Sequence, residues 1–257
     1  MRNSGWKPSS FDGRDLRFDP LLDTGPVPGK ITLPHPFRPR DQGTIVPCCV
    51  SIAIATAMEI LDRSRPQTAL SALFHYYTAR SAPGRLGLID FRTGLQEAVM
   101  TGICKAQLHA PAFDEAGAMK RPSEPAYKDA ERQRLAGFDP GTRRMQYEVV
   151  DDADIVNGCR RALASEFPVL IGFWLTSAYG ALSSAGPVHG SPPEEPSSQG
   201  HAVVAVGYDD ARGAVRIKDS RGDGFADRGA WWLPYDLLTT RLVHEAWVLR
   251  KLTQNEE

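Results

Sequence analysis

The stretch at 41–60, DQGTIVPCCVSIAIATAMEI, decides how the rest of the chain is read. Gly43 and Pro47 punctuate a turn, and a run of small and apolar residues follows it. Val50, Ile52, Ile54, Met58, Ile60 and Leu61 stand among alanines, and the run ends in DRSR. Apolar side chains fall on nearly every side, so the pattern predicts a helix over 48–63 that is buried all round. Two of the four cysteines, Cys48 and Cys49, sit where this helix begins. A cysteine in the first helical turn meets unpaired backbone N–H groups and the positive end of the dipole, and both favour the nucleophilic thiolate. Pro47 cannot continue a helix backwards, which places Cys48 at that position. Cys49 points about 100° away around the helix and is expected to face protein. The plainer reading makes both cysteines small buried hydrophobes. Adjacent cysteines without C-x-x-C spacing are poor zinc chelators, so no metal and no other cofactor is expected.

Composition narrows the class. With 257 residues the chain is long enough for one large domain or two packed lobes. A net charge of −1 gives no reason to expect nucleic acid or an acidic membrane as partner. No apolar run reaches the length of a membrane span, and the opening MRNSGWKPSSFDGRDLRF has no signal core, so a cytoplasmic location is expected, with signal-independent export as an alternative. The scattered cysteines suggest a reducing compartment rather than a disulfide scaffold. Oligomeric state is not legible.

Residues 1–40 are rich in Pro, Gly, Asp and Arg and read as an extended segment that wraps the domain. Helices are expected over 69–80 and 93–102, and a loop with one short helix near 126–134 over 109–145. From there strands dominate: 144–150, 168–175, 201–210, 214–220, 229–238 and 245–251, with one helix over 152–166 and a long loop over 183–200. Helices first and strands later make an α+β arrangement, with 41–145 mainly helical and 146–257 mainly β.

A thiolate nucleophile needs a base and an oxyanion donor. Of six histidines, His35, His75, His109, His189 and His244 lack an obvious catalytic setting. His201 opens the apolar strand GHAVVAVGYDD after the long loop, where its side chain can face a cleft. Asp219, in IKDSRGDG on the next strand, is placed to accept from the imidazole and fix its tautomer.

DQGTIVPC, GHAVVAVGYDD and IKDSRGDG, in that order, resemble the three signature blocks of the papain-like cysteine peptidases. FDGRDLRFDPLL, LSALFHYYTAR, FPVLIGF and WWLPYDLL extend the likeness to the bacterial and archaeal branch of that family. The resemblance implies a papain-like two-lobe fold, a helical lobe carrying the cysteine on its buried central helix and an antiparallel β-barrel-like lobe, with peptide or protein as substrate. It also implies roles. Cys48, six residues after Gln42, would attack the scissile carbonyl, and His201 would form the ion pair and protonate the leaving amine. The Gln42 side-chain amide and the Cys48 backbone N–H would hold the oxyanion. Gly200, Phe91 and Arg92 are expected to line the cleft.

The chain departs from the family pattern at three places. Asp219 stands where the family has Asn, and Arg221 where it has Trp. Val46–Pro47 replaces the usual Gly-Ser before the nucleophile. Arg221 is expected to lie beside Asp219 and offset its charge, since residues two apart on a strand share a face. Only 41 residues precede Gln42, fewer than the long inhibitory propeptide of many relatives. Two other functions fit the same blocks: a catalytically impaired fold that binds peptide or protein, and a peptide-processing acyl transferase.

Overall fold

The computed structural model describes residues 5–20, 25–62, 67–80, 84–139, 144–145, 147–190, 197–239 and 241–250. Part of the expected 183–200 loop, at 191–196, lies outside them. Helix α1 (Cys49–Leu61) is the axis of the molecule, and every one of its residues is buried. It packs on helices α2 (Ala72–Ala79) and α3 (Phe91–Met100) on one side and on the sheet on the other. A Cβ on Gly94 of α3 would stand 2.6 Å from Ile54 Cδ1, so any larger residue there would have to displace that side chain. Ser71 and Asp90 cap α2 and α3 by accepting the N–H groups of Phe74 and Thr93.

The segment expected to be mostly loop over 109–145 holds two short helices, α4 (Glu115–Met119) and α5 (Glu124–Ala130), and the strands β2 (Phe138–Asp139) and β3 (Arg144–Met145). The helix starts carry local signals: Asp114 accepts from Gly117 N, and Pro125 lies in the first turn of α5.

The second half builds the sheet from β4 (Tyr147–Val149), β5 (Val169–Trp174), β6 (Gly200–Asp209), β7 (Ala214–Lys218), β8 (Ala230–Pro234) and β9 (Val243–Leu249). Helix α6 (Ile155–Ala164) follows β4, and the single turns α7 (Ser177–Gly180) and α8 (Tyr235–Leu238) follow β5 and β8. The expected strand over 229–238 therefore ends at Pro234, whose missing N–H suits the helix start after it. The strand order is β4-β9-β5-β6-β7-β8, antiparallel throughout. β6 is the hub. Its first half pairs with β5, its second half pairs with β1 (Lys30–Thr32), and β7 lies along its other edge. Burial on both faces explains why β6 is an unbroken apolar run rather than an alternating one.

One charged group sits inside α1. Glu59 is 1% exposed and is held by Arg40, by His35 Nε2 at 2.8 Å and by the Leu70 N–H at 2.6 Å. This cluster ties the incoming segment at 35–40 to the central helix. Removing one partner of a buried ion cluster leaves the other charges unpaired, a loss of about 3–5 kcal/mol. Glu59→Ala is expected to lower stability by that amount, read from the urea midpoint. A midpoint within 0.5 kcal/mol of the parent would mean that water replaces the carboxylate.

Candidate active site

The chain reaches α1 through a tight turn. The Cys48 N–H donates to Val46 O at 2.9 Å, which closes a three-residue turn centred on Pro47. Cys48 is then the N-cap, with φ −109° and ψ 21°, and the helix proper begins at Cys49. The turn consumes one residue, and this changes which cysteine meets the histidine. The Cys49 side chain hydrogen-bonds the His201 ring. Cys48, expected to occupy that place, is wholly buried in the core. Burial first, and then the neighbouring Cys49, push the Cys48 thiol well above its ordinary pKa.

His201 is the second residue of β6 and only 3% exposed. Its Nε2 donates to Asp219 Oδ1 at 3.0 Å, which leaves the other ring nitrogen for the thiol. Burial is the largest single influence on the imidazole and disfavours its charge. The Asp219 charge and hydrogen bond, together with Cys49, outweigh it and carry the His201 pKa up to about 10. Asp219 is pulled the other way. Burial raises its pKa, but the His201 charge and the bonds from His201, Trp231 and Ser220 hold it below the usual value.

Asp219 is ringed by donors. The Ser220 N–H reaches Oδ1 at 2.7 Å and Trp231 Nε1 reaches Oδ2 at 2.8 Å. The Tyr179 hydroxyl lies 3.3 and 3.2 Å from the two oxygens. Phe173 and Tyr179 pack on the His201 ring, with centroids 5.8 and 5.6 Å away. These aromatic side chains shield the His201–Asp219 bond, while Arg221 stands at the family's Trp position. Arg221 does not lie against Asp219 as expected. Its guanidinium covers Phe225 at 3.9 Å and Tyr179 at 5.3 Å from the ring centroids, and it hydrogen-bonds Tyr179. That phenol in turn donates to the carboxylate.

Gln42 is 2% exposed. Its backbone N–H donates to Ser220 O at 2.9 Å and its Oε1 accepts from Ser220 Oγ at 3.0 Å. Ser220 thus holds the amide through its oxygen. Of the residues expected to line the cleft, Gly200 bridges Trp6 of the N-terminal segment. Phe91 does not: it is fully buried in the main core at the start of α3 and has no surface to offer a substrate. Arg92 binds the chain's own N-terminal segment, pairing with Asp15 and donating to Ser10 O.

That segment fills the cleft. Trp6 bridges Gly200 in antiparallel fashion and Ile89 in parallel. The Ile89 N–H donates to Gly5 O at 3.2 Å, and the Lys7 N–H donates to Ile89 O at 3.3 Å. A Cβ on Gly5 would stand 2.2 Å from Pro47 O and 2.9 Å from Cys48 N, so the segment lies directly on the turn before the helix. Residues 5–7 therefore run between Gly200 and Ile89 and across the Pro47–Cys48 turn, next to Cys49, which is fully buried.

Among the described residues no group of His, Cys, Asp or Glu is arranged to hold a metal ion, and no helix is long and apolar enough to cross a membrane.

No family model matches the chain. It is 26% identical over 234 residues to an uncharacterized peptidase C1-like protein, L477, of Acanthamoeba polyphaga mimivirus, covering 87% of this chain and 73% of that one. Its structure superposes on xylellain, a cysteine protease from Xylella fastidiosa, with a TM-score of 0.83, 26% identity and 98% of each chain covered. Digestive procathepsin L 3 from Tenebrio molitor larval midgut superposes with a TM-score of 0.70 and 18% identity, over 96% of this chain and 76% of that one. The fold is papain-like, and the similarity to cysteine peptidases runs along nearly the whole chain.

Proposed function

We propose that the chain hydrolyses peptide bonds, with Cys49 as nucleophile, His201 as its acid–base partner and Asp219 as the residue that orients His201. The observation that carries this reading is the hydrogen-bonded series Cys49–His201–Asp219 at the start of a buried helix. The thiolate adds to the scissile carbonyl, and His201 gives its proton to the leaving amine. Water then adds to the thioester with His201 as base, which releases the acid and restores the thiol. The Gln42 amide and the Cys49 backbone N–H are the donors for the oxyanion in both steps. A protein that only binds peptide has no use for a buried imidazolium–carboxylate pair beside a thiol. That chemistry favours hydrolysis over the binding-module reading.

The test is to open the cleft. Trp6 is the anchor of the covering segment, and truncating a buried Trp removes about 3–5 kcal/mol of packing. Trp6→Ala is expected to raise the rate of iodoacetamide labelling at Cys49 by at least about tenfold, because access follows the population of the open state. The same protein should cleave a mixed peptide library. Labelling that stays slow and equal at all four cysteines, with no cleavage, would overturn the proposal.

A further inference from the structure

Five of the six histidines stand outside the reaction, and one of them is built into its surroundings. His189 is 1% exposed, and its ring centroid lies 5.7 Å from that of Trp231. Its Nδ1 sits 2.7 Å from Gly190 O, which can only accept, so Nδ1 carries the proton. Nε2 therefore keeps its lone pair and accepts from Thr176 Oγ1 at 3.2 Å. Burial is the largest influence on this ring and holds its pKa below the ordinary value, against the pull of the Gly190 carbonyl. His189 is a neutral acceptor at pH 7.

Thr176 passes the contact on. Its Oγ1 also accepts the Tyr179 N–H at 3.1 Å and so caps the single turn α7. A hydroxyl has one proton, and with that proton committed to His189 a lone pair is aimed at Tyr179. Tyr179 in turn places its hydroxyl 3.2 Å from Asp219 Oδ2. The other side of His189 leads to the same oxygen, because Trp231, against which the ring lies, donates to Oδ2 from Nε1 at 2.8 Å. The backbone fixes the histidine in this place: the His189 N–H donates to Trp232 O at 2.9 Å. The contacts close a ring that runs from Asp219 through Tyr179, Thr176, His189 and Trp231 back to Asp219.

We propose that His189 is a positioning residue for the catalytic pair. Through Thr176 and Tyr179 on one side and Trp231 on the other, it sets the direction of the Asp219 carboxylate and with it the plane of the His201 ring. Tyr179 comes from α7 and Trp231 from β8, and His189 is the side chain that joins them. The inference rests on the peptidase reading, and one arm of its test does not depend on turnover.

The full-length Trp6→Ala protein is assayed with a fluorogenic peptide, alone and with His189 substituted. His189→Leu removes both the acceptor and the aromatic ring. It is expected to lower kcat about tenfold with KM within about twofold, since no substrate contact changes. His189→Gln offers Thr176 an amide oxygen near the place of Nε2 and should recover most of the loss. The loss should also depend on the carboxylate. In Asp219→Ala, His189→Leu should cost less than about twofold, because the group it acts through is gone, whereas in Gln42→Ala it should cost the full tenfold. Thermal melts set an assay temperature at which every variant is folded. If His189→Leu does not fold, Thr176→Val, which removes the hydroxyl between His189 and Tyr179, takes its place with the same expectations. An equal loss in all three backgrounds, or no loss in any, would overturn the proposal.

If turnover is absent or too slow to compare, proton NMR of the parent protein decides. The Trp231 indole N–H and the His201 Nε2–H both donate to Asp219. His189→Leu should speed their exchange with solvent at least about tenfold, and His189→Gln less than about threefold. The control is the Trp247 indole N–H, which donates to Glu245, the carboxylate that also accepts from Trp6 Nε1. Faster exchange at Asp219 alone would uphold the positioning role while the peptidase reading falls. Unchanged exchange, or the same rise at Trp247, would overturn it.

Discussion

Cys49→Ala is expected to abolish turnover, whereas Cys48→Ala retains it within a factor of about three. Removing the nucleophile of a catalytic constellation that acts as a unit lowers kcat by on the order of 10⁶, because the remaining groups have no covalent step to assist. The two cysteines are adjacent in sequence but not in environment. Cys49 opens the helix and shares a hydrogen bond with the His201 ring. Cys48 is the N-cap residue, and burial and then the neighbouring Cys49 push its thiol well above its ordinary pKa. Cys48→Ala should therefore act on stability, by about 1–2 kcal/mol for a small buried side chain. Both variants are best measured in the opened Trp6→Ala protein, since the parent cleft is covered. Mass-spectrometric mapping of iodoacetamide adducts gives a second readout: one fast adduct, on residue 49, that disappears in Cys49→Ala and persists in Cys48→Ala. Full activity in Cys49→Ala with loss in Cys48→Ala would reverse the assignment, and the tight turn at Pro47 would then have to open during catalysis.

This one-residue difference marks where sequence reading stops. The apolar run after Pro47 specifies a helix buried on all sides, and α1 is that helix. The blocks around His201 and Asp219 single out two side chains that hydrogen-bond each other, and the block around Gln42 one that bonds the neighbouring Ser220. Which cysteine faces His201 depends on the torsions of Val46–Pro47–Cys48, where a three-residue turn and an open loop differ by one residue of reach. No composition rule separates them. Phe91 fails as a cleft residue for a similar reason. The helix was expected over 93–102, but α3 begins at Phe91, and the direction of its side chain follows from how closely α3 packs on α1. Trp231 was within reach, because alternation along AWWLP puts one of two adjacent tryptophans inward, and Trp231 is fully buried while Trp232 is partly exposed. Trp6 and Glu245 lie 239 residues apart, and nothing local to either announces the other.

Asp219→Asn and Asp219→Ala separate two things this residue does for His201. An asparagine keeps a side-chain oxygen to accept from Nε2 but has no charge. An alanine has neither, and leaves the Trp231 and Ser220 donors facing a void. Asp219→Ala should lower kcat by about 10²–10⁴, the range typical of losing a positioned acid–base group. Asp219→Asn should retain much of the rate and instead move its pH dependence. Burial presses the His201 pKa down, and the Asp219 charge is the largest influence holding it up near 10. Without that charge the alkaline limb, which follows loss of the imidazolium proton, is expected to fall by roughly two units or more. Stability follows the same sign. A histidine pKa raised in the folded state contributes stability fully present below 6.5 and lost as pH rises through about 10. The parent should lose stability over that window, and Asp219→Asn should lose much less. The urea midpoint at either end of the window measures it. Arg221 was expected to neutralise this carboxylate directly, but it stacks on Phe225 and acts through the Tyr179 hydroxyl. Tyr179→Phe should therefore couple with Asp219→Asn in a double-mutant cycle on the alkaline limb, while Arg221→Ala shifts that limb only slightly. An Asp219→Asn profile that overlays the parent would mean that the imidazolium is held by the Cys49 thiolate alone and that the carboxylate serves only to orient the ring.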